Sequence, residues 1–280
     1  MKIVVGIDEL DGEHPALRWA TEYGARREAD IELVHVVDTT ARRATDEFLE
    51  GPLLSAEGKL RDVARAAQES TPLITVEAHV RVGSPVNELV TAADTADLLV
   101  IGAHPGERYD GASRRAVRIA RLAPCSVVVA PSAVVPVGTG VVVGIDGSEQ
   151  SQVALRFAAE FADRHGEKLT VLLAWGQPEP WTIAQPDLVV TEPAAEDGLI
   201  VAEAIAGLAG DYPDLVIQSE ISAARPERGL YAASVDARLL VVGSHGRTML
   251  ARALLGSTSE ELVADLPCAV AVIRGTGTTS

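Results

Sequence analysis

Two short stretches hold the residues best suited to chemistry: Gly243-Ser244-His245-Gly246-Arg247 and, after a spacer, Gly256-Ser257-Thr258-Ser259. The chemistry they suit is anion capture. Glycines let the backbone approach a phosphate closely, and a helix N-terminus presents free N–H groups and the positive end of its dipole. Ser257, Thr258 and Ser259 can add hydroxyl donors, and Arg247 a positive charge. His245 can contact phosphate or help hold a divalent ion; it can equally face solvent. A tight strand-to-helix turn without a ligand is the competing reading of the whole loop. Neither of the commoner phosphate motifs is present: there is no Gly-Lys-Ser/Thr, and no Gly-x-Gly-x-x-Gly after the first strand.

These residues need elements to position them. The apolar run Leu239-Leu240-Val241-Val242 reads as a buried parallel strand ahead of the first glycines. Leu254 to Leu266 reads as the following helix, closed by Pro267. The chain also repeats itself. Val5-Gly6-Ile7-Asp8 returns as Val143-Gly144-Ile145-Asp146, and Pro124-Cys125 returns as Pro267-Cys268. A period of about half the chain is too long for a solenoid and fits two tandem domains.

Each half alternates strands and helices. Strands are expected near 2–7, 31–37, 74–82, 97–102 and 125–130, and again near 140–145, 168–174, 215–221, 238–243 and 268–273. Helices are expected near 14–28, 54–69, 85–95 and 113–122, then near 150–165, 194–209, 227–235 and 251–265. Such alternation predicts an α/β fold: two tandem, doubly wound, five-stranded parallel sheets of Rossmann-like type. The domains are expected at 1–131 and 140–274, joined by a linker over 131–139. Long loops are expected at 38–52 and 175–193, either covering a ligand or as exposed decoration.

The chain has 280 residues and a formal net charge of −16, which argues against non-specific binding to nucleic acid or to an anionic membrane. No leader segment is visible, and no apolar run approaches the ~18 residues of a membrane span, so a cytoplasmic protein is expected. The two cysteines, Cys125 and Cys268, each follow a proline and precede an apolar run. Both read as buried, reduced thiols at strand starts. No metal-ligand cluster is visible.

The spacing Gly243, two residues, Gly246, nine residues, Gly256-Ser257 resembles the nucleotide loop of the universal stress protein family. Gly-Ile-Asp-Gly-Ser at 144–148, the Pro-Cys strand start and the tandem repeat extend that resemblance over nearly the whole chain. The resemblance implies an adenine nucleotide alpha hydrolase-like fold, ATP as ligand with magnesium arriving alongside it, and a stress or regulatory role rather than a defined catalysis. By the same resemblance, Asp146 faces the ribose, adenine lies near Ala174, and Gly243, His245, Gly246, Arg247, Gly256, Ser257 and Thr258 surround the phosphates. Asp8 and Gly102 are the first-half counterparts. From the residues alone, Asp146-Gly147-Ser148 is also good helix-capping and turn chemistry, and the two roles can coexist. Trp175 can stack on a base or belong to the core. In this family the last strands commonly pair two domains, which implies an intramolecular pseudo-dimer; no residue argues for or against a homodimer of the whole chain.

The halves differ. After Gly102 the first reads Ala103-His104-Pro105-Gly106-Glu107, and Ser113 and Arg114 stand in place of Gly256 and Ser257. Pro105 lacks an N–H donor and Glu107 repels phosphate, so the first loop reads as degraded and the second as intact. Arg108, Arg114, Arg115, Arg118 and Arg121 cluster here, as an anion site of another kind or as a solvated helix face. Conversely, the first half keeps Val82-Gly83-Ser84-Pro85, a further family-like turn, where the second has Ala223-Ala224-Arg225-Pro226. Three functions are therefore expected in turn. The first is an ATP-binding regulator with a protein partner the sequence does not name. The second is a slow ATPase or nucleotidyl-transfer enzyme of related fold. The third is an interaction module that binds no nucleotide.

Overall fold

Runs of branched apolar residues set the strands, and turns at their carboxyl ends set the site. The computed structural model describes residues 1–40, 46–103, 111–131, 138–176, 195–246 and 255–275. It divides into two units, Met1–Val135 and Pro136–Ser280.

The first unit runs β1 (Lys2–Ile7), α1 (Pro15–Ala25), β2 (Asp30–Asp38), α2 (Asp46–Ser70), β3 (Val76–Gly83), α3 (Pro85–Ala92), a 3-10 turn, β4 (Leu98–Ala103), α4 (Gly111–Leu122) and β5 (Ser126–Pro131). Its strands pair in parallel in the order β3-β2-β1-β4-β5. The second unit runs β6 (Val141–Ile145), α5 (Glu149–His165), β7 (Leu169–Ala174), α6 (Ala195–Ala206), β8 (Ile217–Ser222), α7 (Pro226–Ser234), β9 (Leu239–Gly243), α8 (Ser257–Ala264) and β10 (Ala269–Ile273). It repeats the topology as β8-β7-β6-β9-β10, again parallel. The α/β class and the parallel five-stranded sheets expected from the sequence are present in both units.

Central strands are covered on both faces. Ile3, Val4 and Val5 of β1, and Leu239, Leu240 and Val241 of β9, are fully buried. Each such side chain contributes roughly 1.5–3 kcal/mol through burial. Outer strands behave differently. β3 alternates in exposure and carries Glu77, His79 and Arg81; β8 carries Gln218 and Glu220. Charged side chains on outer strands discourage edge-to-edge aggregation. Glu32 of β2 is buried, and Lys2 Nζ at 2.7 Å and Arg81 Nη2 at 3.7 Å neutralise it.

In each unit the chain winds one way from the first strand, then returns to the other side for the fourth. The switch point lies between β1 and β4, and between β6 and β9. A crevice opens there at the carboxyl ends, where open α/β sheets bind ligands. Both sequence-expected ligand positions, after the first strand and at the end of the fourth, fall at this crevice.

Three expectations need correction. The loop placed at 38–52 is shorter, because α2 already begins at Asp46 and tolerates Pro52 inside its early turns. Of the two thiols only Cys268 is buried; Cys125 is half-exposed. The last helix spans Ser257–Ala264 rather than the longer stretch expected. The loop expected at 175–193 lies almost wholly outside the described residues. Among the described residues, no helix is long and apolar enough to cross a membrane.

Candidate nucleotide site

The candidate site in the second unit begins with the turn after β6. Gly147 takes a positive φ of 78°, a conformation that suits glycine. This turn folds the Asp146 carboxylate back on the chain, where Oδ1 accepts the Ser148 N–H at 2.9 Å. Ser148 then caps α5, its Oγ accepting the Ser151 N–H at 3.1 Å. Ser148 caps the helix, and Asp146 closes the turn while lining the crevice.

Opposite stands the end of β9. Ser244 is buried, its N–H donates to Ile273 O at 2.9 Å, and its Oγ shares a hydrogen bond with His245 Nδ1 at 3.0 Å. The Gly256 N–H donates to Ser244 O at 2.7 Å, tying the start of α8 to the loop. The Ser259 hydroxyl donates to Gly243 O at 2.7 Å. It therefore fastens the loop and is not the ligand donor expected of it. Gly256 caps α8 without a side-chain hydrogen bond, which leaves the first turn, with Ser257 and Thr258, facing the crevice as donors.

The glycines have identifiable reasons. A β-carbon on Gly246 would lie 2.5 Å from Asp146 Oδ2, and one on Gly243 3.2 Å from Gln150 Cβ and 3.3 Å from the Gln150 backbone. On Gly144 it would meet Leu230 Cδ1 at 2.9 Å. A side chain at Gly246 or Gly144 pushes into Asp146 or Leu230, which line the site, and one at Gly243 presses on the start of α5 behind it.

Together these groups enclose a cavity of about 260 Å³. Asp146, Ala174, Gly243, His245, Gly246, Gly256, Ser257 and Thr258 all line it. Arg247 lies outside the described residues. Leu172, Leu230 and Val242 form an apolar wall that sequence reasoning did not name. Its signal was present: Gly144 inside a strand marks a close approach, here by Leu230. Trp175 is half-buried and is not among the residues that line this cavity; its N–H donates to Ser222 O at 3.1 Å.

Among the described residues, the first unit has a cavity of about 190 Å³ at the corresponding place. Asp8 and Gly102 line it, both exposed. Arg115, which corresponds to Thr258, donates from Nη2 to Asp8 Oδ2 at 3.1 Å. The remaining described arginines of the cluster, Arg114, Arg118 and Arg121, are exposed. His104, Pro105, Gly106, Glu107 and Arg108 lie outside the described residues. Gly83 adopts a φ of 149°, and a β-carbon there would lie 2.9 Å from Glu88 Oε1.

Comparison with known proteins matches this geometry to one family. The sequence profile of the Universal stress protein family matches residues 1–131 and again residues 140–274. Two universal stress proteins of Mycobacterium tuberculosis are similar along nearly their whole length. One is 31% identical over 93% of this chain and 92% of its own, and the other 32% identical over 92% and 91%. The crystal structure of a universal stress protein from Archaeoglobus fulgidus superimposes with a TM-score of 0.75 at 18% identity, covering 98% of this chain and 97% of that one, a likeness of fold. Matched by the family profile in both halves, and similar almost end to end to proteins of that name, the chain belongs to the universal stress protein family.

Proposed function

We propose that the second unit binds an adenine nucleotide, ATP in the fullest case, and that the chain is a regulatory stress-response protein whose conformation or partner binding follows that ligand. The observation that carries the reading is convergence. Eight residues named from sequence, at or just beyond the carboxyl ends of β6, β7 and β9 and at the start of α8, line one cavity at the switch point of the sheet.

The residues fit the group. Gly246 leaves no room for a side chain beside Asp146, Gly243 is tightly packed, and the first turn of α8 offers N–H donors and hydroxyls to an anion. Asp146 is half-buried and placed to accept from a ribose hydroxyl. The apolar wall of Leu172, Leu230 and Val242 suits a purine ring, with the backbone of Ala174 at its edge. Each charge-assisted hydrogen bond to phosphate contributes ~1.5–3 kcal/mol. Magnesium would sit on phosphate oxygens and keep most of its waters.

Nucleotide released into the supernatant on denaturing the purified protein tests the reading directly; one adenine nucleotide per chain is expected. Calorimetric titration should then show ATP binding more tightly than GTP, because backbone groups at Ala174 distinguish an amino donor from a carbonyl acceptor. Equal affinities would remove the base assignment. Steady-state phosphate release separates a binding regulator from a slow ATPase.

A further inference from the structure

We propose that Ser244 is a positioning residue for the second site. Its buried hydroxyl donates to His245 Nδ1, which fixes the uncharged imidazole as the Nε2–H tautomer and makes the free ring nitrogen a donor for a phosphate oxygen. The inference rests on the reading that phosphates lie between the β9 loop and the start of α8. His245 lines the cavity there, and Ser244 does not.

Three contacts seat the pair. Ser244 is 1% exposed, and its backbone is held on both sides. Its N–H donates to Ile273 O at 2.9 Å, at the end of β10, and its C=O accepts the Gly256 N–H at 2.7 Å, at the cap of α8. The second bond fixes the peptide plane that joins Ser244 to His245. Gly256 also packs on the histidine itself, since a β-carbon there would lie 3.4 Å from His245 Cα. The imidazole is therefore carried on backbone that β10 and α8 both hold.

The direction of the Ser244–His245 bond follows from the hydroxyl. Oγ and Nδ1 lie 3.0 Å apart. An uncharged imidazole carries one proton, so one ring nitrogen donates and the other accepts, while a serine hydroxyl brings one donor hydrogen. If Nδ1 donated, the Ser244 hydroxyl hydrogen would be left buried with no acceptor among the described residues. An unmade bond from a buried donor is costly. With Ser244 donating, both groups are satisfied and the ring proton sits on Nε2. That nitrogen can then donate to an anion. The opposite tautomer would turn a lone pair towards the phosphate and repel it.

The first unit lacks this arrangement. With the halves aligned on Gly102 and Gly243, Ala103 takes the place of Ser244 and His104 that of His245. Ala103 is as buried as Ser244. A histidine follows in both halves, but only in the second does a hydroxyl precede it.

Nitrogen–proton correlation spectra of the imidazoles read the tautomer directly, on the full-length protein without nucleotide at about pH 9. His245, assigned by loss of its signals in His245→Gln, should show the Nε2–H pattern in wild type. Ser244→Ala should move it towards the mixed pattern of a free imidazole. An Nδ1–H pattern in wild type, or a pattern that Ser244→Ala leaves unchanged, overturns the proposal. Calorimetry then joins the pair to the ligand. Ser244→Ala should weaken ATP binding by about three- to tenfold and leave adenosine within about twofold, because only ATP reaches the imidazole with phosphate. His245→Gln keeps an N–H donor with no tautomer to choose, so adding Ser244→Ala in that background should cost nothing further. An equal loss for adenosine, or the same loss on top of His245→Gln, overturns the proposal by showing that Ser244 only supports the loop. Should wild type bind no ATP at all, the nucleotide reading fails separately, and the spectra still decide the Ser244–His245 bond.

Discussion

The two cavities occupy the same corner of the same topology, yet one ends in a helix N-terminus and the other in an ion pair. In the second unit Gly256 stops short of α8 and leaves its first turn open. In the first unit α4 reaches further back, and Arg115 bonds Asp8 across the opening. Neither difference disturbs the core, since both sheets keep their order and their buried central strands. A few residues at two helix starts are enough to change the chemistry of a crevice while the fold beneath it stays constant.

The strongest way to break this contrast is at the paired glycines. Gly243→Val should lower ATP affinity by at least ~100-fold, because its side chain must displace Gln150 backbone atoms already 3.3 Å from a β-carbon. Gly102→Val, at the exposed counterpart, should leave ATP affinity within twofold; calorimetry on both, with circular dichroism as the folding check, decides. Asp146→Asn is expected to cost ~10-fold in ATP affinity by weakening a charge-assisted hydrogen bond, since the amide oxygen can still close the turn with Ser148. Asp8→Asn should change ATP affinity less than twofold. A loss of similar size from both would mean the two sites take the same ligand.

Stability sharpens the comparison further. Burial pushes the Cys268 thiol from 9.0 up to about 12. Between those values the unfolded chain has lost a proton that the folded chain keeps, so stability falls as pH rises, by ~1.4 kcal/mol per unit. Urea unfolding of wild type and Cys268→Ala should therefore run parallel below about pH 8 and diverge by ~1 kcal/mol near pH 10. Parallel curves throughout would mean the thiol is not held protonated. The smallest effect is at the caps. Ser148→Ala should cost ~1 kcal/mol by removing the α5 cap, whereas His14→Ala, at an N-cap position that makes no capping bond, should cost ~0.5 kcal/mol or less.

Much of this was legible in the sequence because the signals were local. Continuous apolar runs placed the strands, the repeated Gly-Ile-Asp revealed two tandem domains, and resemblance to a family, carried by the glycine spacing, named eight residues that line one cavity. What escaped was set by tertiary contact. No spacing rule says that the Ser259 hydroxyl is spent on Gly243, or that Leu230 packs over Gly144. Part of the stretch expected as a loop at 38–52 belongs to α2, which carries Pro52 inside it. The arginine cluster read as either an anion site or a solvated face; the structure turns Arg115 toward Asp8 and leaves Arg114, Arg118 and Arg121 exposed.

The two cysteines have a practical consequence. They occupy matching positions just before β5 and β10, one half-exposed and one buried, and neither is in a disulfide. The native protein therefore carries one reporter thiol per unit. An alkylating reagent should modify Cys125 at a rate set by its own chemistry, while Cys268 should react only as often as its surroundings open. The ratio of those two labelling rates, followed with and without nucleotide, measures the opening free energy of the second unit directly, on the intact chain and without denaturant.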